Sequence, residues 1–212
     1  MTPWGAGLRW SEVERAWLGL FATLPGGRVI LRHELTWWRI SPEDAAADLL
    51  AFLAAKQITL STPIYANHEL FPGRDDEPGE TISQTFGRAG VRLTPGSRDR
   101  LNGWSRLRSW LRVRTWPDGG TGPALVIHPD CLRFLKTLPT LVQDKGNPED
   151  FEDTPAAYPA HAARYFVMGR VSPWLPPPPP VPGPGTWGYE LRHVQRGSKT
   201  RPRVGADCLR PR

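Results

Sequence analysis

The sequence predicts an α/β domain in which helices flank a mixed β-sheet. Two apolar runs, residues 16–24 and 28–35, are joined by the turn sequence Pro25–Gly27 and predict a β-hairpin. After this hairpin, helical and strand patterns alternate along the chain, as they do in α/β folds. The chain has 212 residues, of which 39% are hydrophobic and 23% charged, so it is long and apolar enough to bury a core.

The helices are predicted from capping residues and from apolar periodicity. Ser41 is a suitable N-cap, with Pro42 at the first helical position and Asp44 three residues after the cap. The predicted helices comprise residues 41–57, 81–90, 99–114, 131–142 and 155–168. The predicted strands between them are residues 58–67, 91–96 and 123–129. Pro63 indicates that the first of these strands is interrupted or lies at a sheet edge.

Two of the helices carry patterns that bear on function. In the helix 99–114, an apolar stripe is predicted from Leu101, Trp104, Leu107 and Leu111. The last predicted helix is expected to be amphipathic, because its residues recur at helical spacing. These residues are Ala157, His161, Arg164, Tyr165 and Met168.

The composition changes after Ser172 and predicts three regions. Residues 1–172 form the predicted folded domain, and the proline-rich run 173–185 is predicted to be a polyproline II spacer or a disordered linker. Residues 186–212 lack periodicity and are predicted to be a disordered basic tail. This tail holds seven of the 27 Lys and Arg residues but only two of the 21 Asp and Glu residues. The formal net charge of +6 is therefore mostly a property of the tail.

Several function classes are excluded by the sequence. Cys131 and Cys208 are far apart, which argues against a disulfide framework or a zinc site. No apolar run is long enough to span a bilayer, and no signal peptide is recognisable, so a cytoplasmic protein without membrane contact is expected. No GxxxxGK[ST] sequence occurs, so the chain has no P-loop for ATP.

Three segments, taken in order, resemble the C-terminal nuclease domain of phage terminase large subunits, the DNA-packaging motors. They are "RDRLNGWSRLRSWL" (98–111), "LVIHPDCLRFLKTLPTLVQDKGNPEDFED" (125–153) and "AARYFVM" (162–168). The resemblance implies a ribonuclease-H-like fold and a role in phage or prophage DNA packaging. It also implies double-stranded DNA as a partner, with a separate packaging ATPase, a small terminase subunit or a portal as further candidates, in the cytoplasm of a bacterial host.

In the family that the chain resembles, three or four acidic residues hold two divalent metal ions. Matching the motifs residue by residue puts Arg9, Asn67 and His161 at three of these acidic positions and Ala157 at a further one. An arginine repels a metal ion at short range. Asparagine and neutral histidine can bind metals, but histidine suits zinc or transition ions better than Mg²⁺. The resemblance therefore implies a degenerate nuclease site with no metal and no cofactor.

Two other interpretations stay open. In the first, relocated acids, namely Glu12, Glu69 and Asp153, make an active endonuclease that uses Mg²⁺ or Mn²⁺. In the second, the chain is a non-catalytic module that binds DNA or packaging proteins. Candidate phosphate contacts for DNA binding are Arg98, Arg100, Arg106, Arg108 and Arg112, although the same residues fit an ordinary helix with solvated arginines.

Overall fold

The structure is a computed structural model that describes residues 2–11, 15–71, 80–116 and 119–170. The strands are β1 (Trp4–Arg9), β2 (Arg15–Thr23), β3 (Val29–Trp38), β4 (Leu60–Ala66), β5 (Leu93–Pro95), β6 (Arg114–Thr115), β7 (Thr121–Gly122) and β8 (Leu125–Ile127). The α-helices are α1 (Pro42–Ala55), α2 (Ile82–Arg88), α3 (Arg100–Leu111), α4 (Leu132–Thr137) and α5 (Tyr158–Met168). Short 3₁₀ turns comprise Pro25–Gly27, His68–Leu70 and Leu138–Thr140. The predicted linker, the predicted tail and Glu12 lie outside the described residues.

Six strands form one mixed sheet in the order β5-β4-β1-β2-β3-β8. β1, β2 and β3 are joined in antiparallel fashion, whereas β4 runs parallel to β1, β5 parallel to β4, and β8 parallel to β3. β6 and β7 pair separately as a small antiparallel ribbon. The predicted fold class, a mixed sheet flanked by helices, is confirmed.

Helices cover both faces of the sheet, and each face has its own apolar core. On one face, α3, α4 and α5 pack against residues such as Trp17 and Phe21 of β2. On the other face, α1 and α2 pack against residues such as Leu8 of β1 and Leu18 of β2. Burial of apolar side chains on both sides of a central sheet is the main stabilising contribution in this architecture. None of the described helices combines the length and the apolar character needed to cross a membrane.

The central strand β1 was not predicted, and the first predicted strand is in fact the second. The reason lies in its sequence, WGAGLR, because glycine is uncommon in strands and weakens a strand pattern. The glycines are explained by packing. A Cβ on Gly7 would collide with the carbonyl oxygen of Ala162 and lie 2.8 Å from its carbonyl carbon, so α5 lies directly on the backbone of β1.

Pro63 was predicted to interrupt its strand or to mark a sheet edge, and the structure shows an interruption of the pairing rather than an edge, because β4 is an internal strand between β1 and β5. The pairing of β4 with β1 shifts register between the pairs Trp4–Leu60 and Ala6–Ile64. Pro63 lies in this irregular stretch. A bulge tolerates proline because the missing N–H is not needed for a regular ladder bond.

Three helices differ from their predicted form. α4 ends at Thr137 and continues as the 3₁₀ turn Leu138–Thr140, where Pro139 cannot supply a helical N–H. In α3, Leu101 is exposed, whereas Gly103 and Trp110 are buried beside Trp104 and Leu107. The last helix begins at Tyr158, and its polar face is buried along with its apolar face, since every residue from Tyr158 to Val167 is buried.

Candidate functional site

The candidate site lies at the carboxyl ends of two neighbouring parallel strands. Arg9 is the last residue of β1, and Asn67 follows the last residue of β4. Because Leu8 pairs with Ala66 in parallel register, the sheet itself places Arg9 next to Asn67. α5 lies on the same strands and contributes His161. The structure thus places Arg9, Asn67 and His161 near one another. Two acidic residues, Glu69 and Asp153, lie between them.

Asn67 ties the two strand ends together. Its Oδ1 accepts a hydrogen bond from the Trp10 backbone N–H at 2.9 Å, and its Nδ2 donates to the Trp10 carbonyl at 3.2 Å. The same Nδ2 donates to Oε2 of Glu69 at 2.9 Å. Asn67 is 2% exposed, so its amide is committed to these contacts and its role here is structural.

Arg9 lies between two carboxylates. Its Nη2 donates to Oδ2 of Asp153 at 2.7 Å, and its Nη1 donates to Oε2 of Glu69 at 3.4 Å. The guanidinium also lies over the ring of Tyr158, with 5.3 Å from Cζ to the ring centroid. The side chain of Arg9 is only 14% exposed, whereas those of Asp153 and Glu69 are 38% and 73% exposed, so the carboxylates of both ion pairs are open to solvent.

His161 is buried and uncharged. The side chain is 1% exposed and meets the Trp104 ring edge-to-face with 4.9 Å between centroids. Burial, followed by the positive charges of Arg164, Arg100 and Arg9, lowers the pKa of His161 to about 2. Although Nε2 lies 3.5 Å from Oδ1 of Asp153, neither ring nitrogen has a hydrogen-bond partner among the described residues. The nearby carboxylate is thus insufficient to hold a second proton on the ring, which would make it cationic.

Arg100 is held by Asp150 in a two-pronged contact. Nε donates to Oδ2 of Asp150 at 2.6 Å, and Nη2 donates to Oδ1 at 3.0 Å and to the Phe151 carbonyl at 2.8 Å. Nε1 of Trp104 donates to the same Oδ1 at 2.6 Å. Burial alone would raise the pKa of Asp150, but these donors and the Phe151 N–H lower it, so the carboxylate stays charged.

Arg164 is the site residue that the sequence analysis did not assign. It is 2% exposed, and its Nη1 donates to the carbonyls of Ser97 at 3.1 Å and Asp99 at 3.3 Å. Its side chain passes over Gly103, where a Cβ would lie 2.7 Å from Cδ and Cγ of Arg164. Arg164 therefore fixes α5 to the beginning of α3. No local sequence signal reveals this contact, because the residues that it joins are far apart in the chain.

An open cleft of about 690 Å³ lies beside these residues, and neither Asn67 nor His161 lines it. Its lining residues are Arg9, His68, Glu69, Phe71, Pro95, Ser97, Arg98, Arg100, Asp153, Arg164 and Tyr165. Four arginines and two carboxylates face the cleft, so its formal charge is positive. A positive cleft of this size suits an anionic group such as a phosphate.

The five arginines proposed as DNA contacts occupy different environments. Arg98 is exposed on the cleft wall, and Arg100 lines the cleft but is bound to Asp150. Arg106 donates to the backbone carbonyl of Arg170. Arg108 and Arg112 are exposed, and neither is among the residues that line the cleft. Of the alternative acids, Glu69 and Asp153 lie in the site.

The residues present do not fit a divalent metal ion. Within the described part of the chain, no three His, Cys, Asp or Glu side chains are grouped so that they could hold one. Glu69 and Asp153 line the cleft beside the strand ends, and both are bound to Arg9. Asn67 is used by the backbone of Trp10 and by Glu69. His161 is shielded from solvent.

Comparison with solved structures shows the fold. The chain is similar to the large terminase of a thermophilic bacteriophage in complex with ADP, with a TM-score of 0.59 and 12% identity over 78% of this chain and 39% of that chain. It is similar to the P22 large terminase nuclease domain, with a TM-score of 0.59 and 13% identity over 79% of this chain and 81% of that chain. The large terminase nuclease of the thermophilic phage G20c, solved with bound cobalt, gives a TM-score of 0.51 and 11% identity over 78% of this chain and 80% of that chain.

At these identities, the likeness concerns the fold, which is the predicted ribonuclease-H-like α/β fold of terminase nuclease domains. The chain spans about two-fifths of the length of the large terminase solved with ADP. No protein-family model matches the sequence, and no curated protein matches it in sequence.

Proposed function

We propose that this chain is a terminase-nuclease-like domain that serves phage or prophage DNA packaging without two-metal cleavage. The shared fold supports the packaging role. The observation that carries the absence of cleavage is the position of Arg9, whose guanidinium lies between the carboxylates of Glu69 and Asp153.

The chemistry of phosphodiester cleavage explains why this arrangement is unsuitable. Two divalent ions about 4 Å apart stabilise the attacking and leaving oxygens, and several carboxylates are needed to hold them. Here Arg9 contacts both of the nearest carboxylates, and Arg100 adds a second positive charge 3.9 Å from Asp153, so two arginines offset the two acids. Asn67 and His161 offer no negative charge. The site lacks the negative field that would retain the ions.

The test is cleavage of supercoiled plasmid DNA by the whole chain in Mg²⁺ or Mn²⁺, with EDTA as the control. No metal-dependent nicking is expected. A triple variant, Arg9→Asp, Asn67→Asp and His161→Asp, is expected to nick DNA in Mn²⁺, whereas single changes restore little, because the ligands of two metal ions act as a unit.

The relocated-acid interpretation gives the opposite result. The unmodified chain would then cleave DNA in Mn²⁺, and Glu69→Gln or Asp153→Asn would abolish cleavage, whereas Arg9→Ala would not. That outcome would refute the proposal and identify a working nuclease.

A second candidate function is DNA binding without cleavage, and the positive cleft favours it. If phosphates enter the cleft, duplex binding should weaken as salt rises. Arg98→Ala should lower the affinity for duplex DNA. It should also make the dependence of log affinity on log salt concentration less steep by about 1, the value for one lost phosphate contact. Arg88→Ala is the matched control, since Arg88 is an exposed arginine on α2 and is not among the cleft residues. Equal loss in both variants would indicate non-specific attraction.

The proposed partners follow from this role. They are double-stranded DNA and a separate packaging ATPase, a small terminase subunit or a portal, in the cytoplasm of the bacterial host. An ATPase from the same phage that co-purifies with the whole chain would support the assignment. Absence of binding to DNA and to all three protein partners would contradict it.

A further inference from the structure

We propose that Arg9 is a built-in cation that takes the place of a divalent metal ion between Glu69 and Asp153. This inference deepens the proposed function and rests on it, because it names the group that lies between the two carboxylates. In addition, Arg9 alone prevents Glu69 and Asp153 from binding a metal ion.

Three separate elements supply the groups concerned. Arg9 ends β1, Glu69 lies in the 3₁₀ turn after β4, and Asp153 lies in the loop before α5. The guanidinium connects all three, with 2.7 Å to Oδ2 of Asp153 and 3.4 Å to Oε2 of Glu69. A metal ion that bridges carboxylates from several elements makes the same kind of connection. Here the chain provides the connection itself.

The surroundings indicate that Arg9 is the principal obstacle to a metal ion. His161 is neutral, because burial and the neighbouring arginines lower its pKa to about 2. Arg100 lies 3.9 Å from Asp153, but its shorter bonds go to Asp150. Removing the charge of Arg9 therefore leaves Glu69 and Asp153 without their closest positive partner, and a new carboxylate at position 9 would complete a set of three.

Thermal unfolding of the whole chain with Arg9→Asp tests the inference. In EDTA, this variant should unfold at a lower temperature than the unmodified chain, since it places like charges together. With Mn²⁺ in about 100-fold excess over its dissociation constant, the unfolding temperature should rise by about 5 °C or more. The unmodified chain should shift by less than about 1 °C over the same Mn²⁺ range.

The matched control is Arg88→Asp. Arg88 also bridges two carboxylates, Glu80 at 2.6 Å and Glu43 at 3.5 Å, but on the exposed surface of α2. Its variant likewise gathers three acids, so non-specific Mn²⁺ binding would be detected there too. Adding Asp153→Asn to Arg9→Asp should remove the Mn²⁺ effect. If Arg9→Asp is unfolded with and without Mn²⁺, Arg9→Gln is titrated in the same way and decides the question.

The inference is overturned if the unmodified chain is stabilised by Mn²⁺ as much as the variant, or if neither Arg9 variant responds more than Arg88→Asp. Both results concern metal binding and not cleavage. Failure here would leave the proposed function standing, whereas nicking of plasmid by the unmodified chain would refute the proposed function without involving the Arg9 variants.

Discussion

The contact between β1 and α5 can be tested with one added methyl group. In Gly7→Ala, the new Cβ would collide with the carbonyl oxygen of Ala162 and approach the Cβ of Phe166 to 3.4 Å. Gly7 lies two residues before Arg9, and Ala162 follows His161. The same contact therefore positions two residues of the candidate site.

The magnitude follows from what must move. Overpacking a core typically costs about 1–3 kcal/mol, and here the obstacle is helix backbone, which cannot rotate away as a side chain can. Alanine also reduces the freedom of the unfolded chain, which offsets about 0.4–1 kcal/mol. Because the obstacle is rigid, the cost should lie near the upper end of that range, which leaves a net loss of about 2–2.6 kcal/mol. For a chain of this size, that lowers the unfolding temperature by about 4–10 °C.

Gly87→Ala is the control for this prediction, measured by the same thermal melt. Gly87 lies in α2, and a Cβ there has no atom within 4 Å, so alanine should stabilise the helix by about 0.5–1 kcal/mol. The two variants should thus shift in opposite directions. If Gly7→Ala melts within about 1 °C of the unmodified chain, α5 does not lie against β1 as closely as described.

Three further predictions concern titratable groups. His161 has a pKa of about 2 in the folded chain and an ordinary pKa of 6.5, so below pH 6.5 the unfolded chain binds a proton that the folded chain does not, and the free energy of unfolding should fall by about 1.4 kcal/mol per pH unit. In urea unfolding, the free energy of unfolding of His161→Gln should fall less steeply between about pH 6.5 and 5 than that of the unmodified chain, and parallel curves would contradict this. Glu34 accepts hydrogen bonds from Nε1 of Trp17 and from the backbone N–H groups of Arg133 and Phe134. Glu34→Ala should therefore lower the free energy of unfolding, measured with denaturant, by roughly 2–4 kcal/mol, and a loss below about 1 kcal/mol would show that these hydrogen bonds do not stabilise the fold. Burial raises the pKa of the Cys131 thiol to about 12, so in a Cys208→Ser background iodoacetamide at about pH 8 should modify it only after unfolding; rapid modification of the folded chain would show that the thiol is accessible.

Much of the fold could be predicted because most elements carry their own local signals. Ser41 does accept the backbone N–H of Asp44, as its place before the helix indicates. The hairpin and the alternation after it follow from runs of apolar residues. β1 could not be predicted, because its strand form depends on partners on both sides and on a helix that requires glycine beneath it. These contacts are made in the tertiary structure, and the glycines that they require give the local sequence the appearance of a loop.

The candidate site was less predictable for a related reason. Arg9 and Asn67 were assigned to one site only through the family resemblance, because β1, the strand that Arg9 ends, was not predicted from the sequence. The partners of Arg100 could not be inferred, because Asp150 lies 50 residues away and the run around it is typical of a solvated loop. The complete burial of α5 was also missed. Its histidine and arginine give the sequence a polar face that the folded chain buries.

Burying α5 on all sides is expensive unless its polar groups are neutral or paired. His161 meets this condition by losing its charge, and Arg164 by donating to the carbonyls of Ser97 and Asp99. Arg9 meets the related condition at the strand end by pairing with Asp153. Nε of Arg9, Nε of Arg164 and both ring nitrogens of His161 nevertheless have no hydrogen-bond partner among the described residues, so pairing satisfies only part of the polar groups at this end of the sheet. A metal ion at Glu69 and Asp153 would have to compete with the guanidinium of Arg9 for the same carboxylate oxygens.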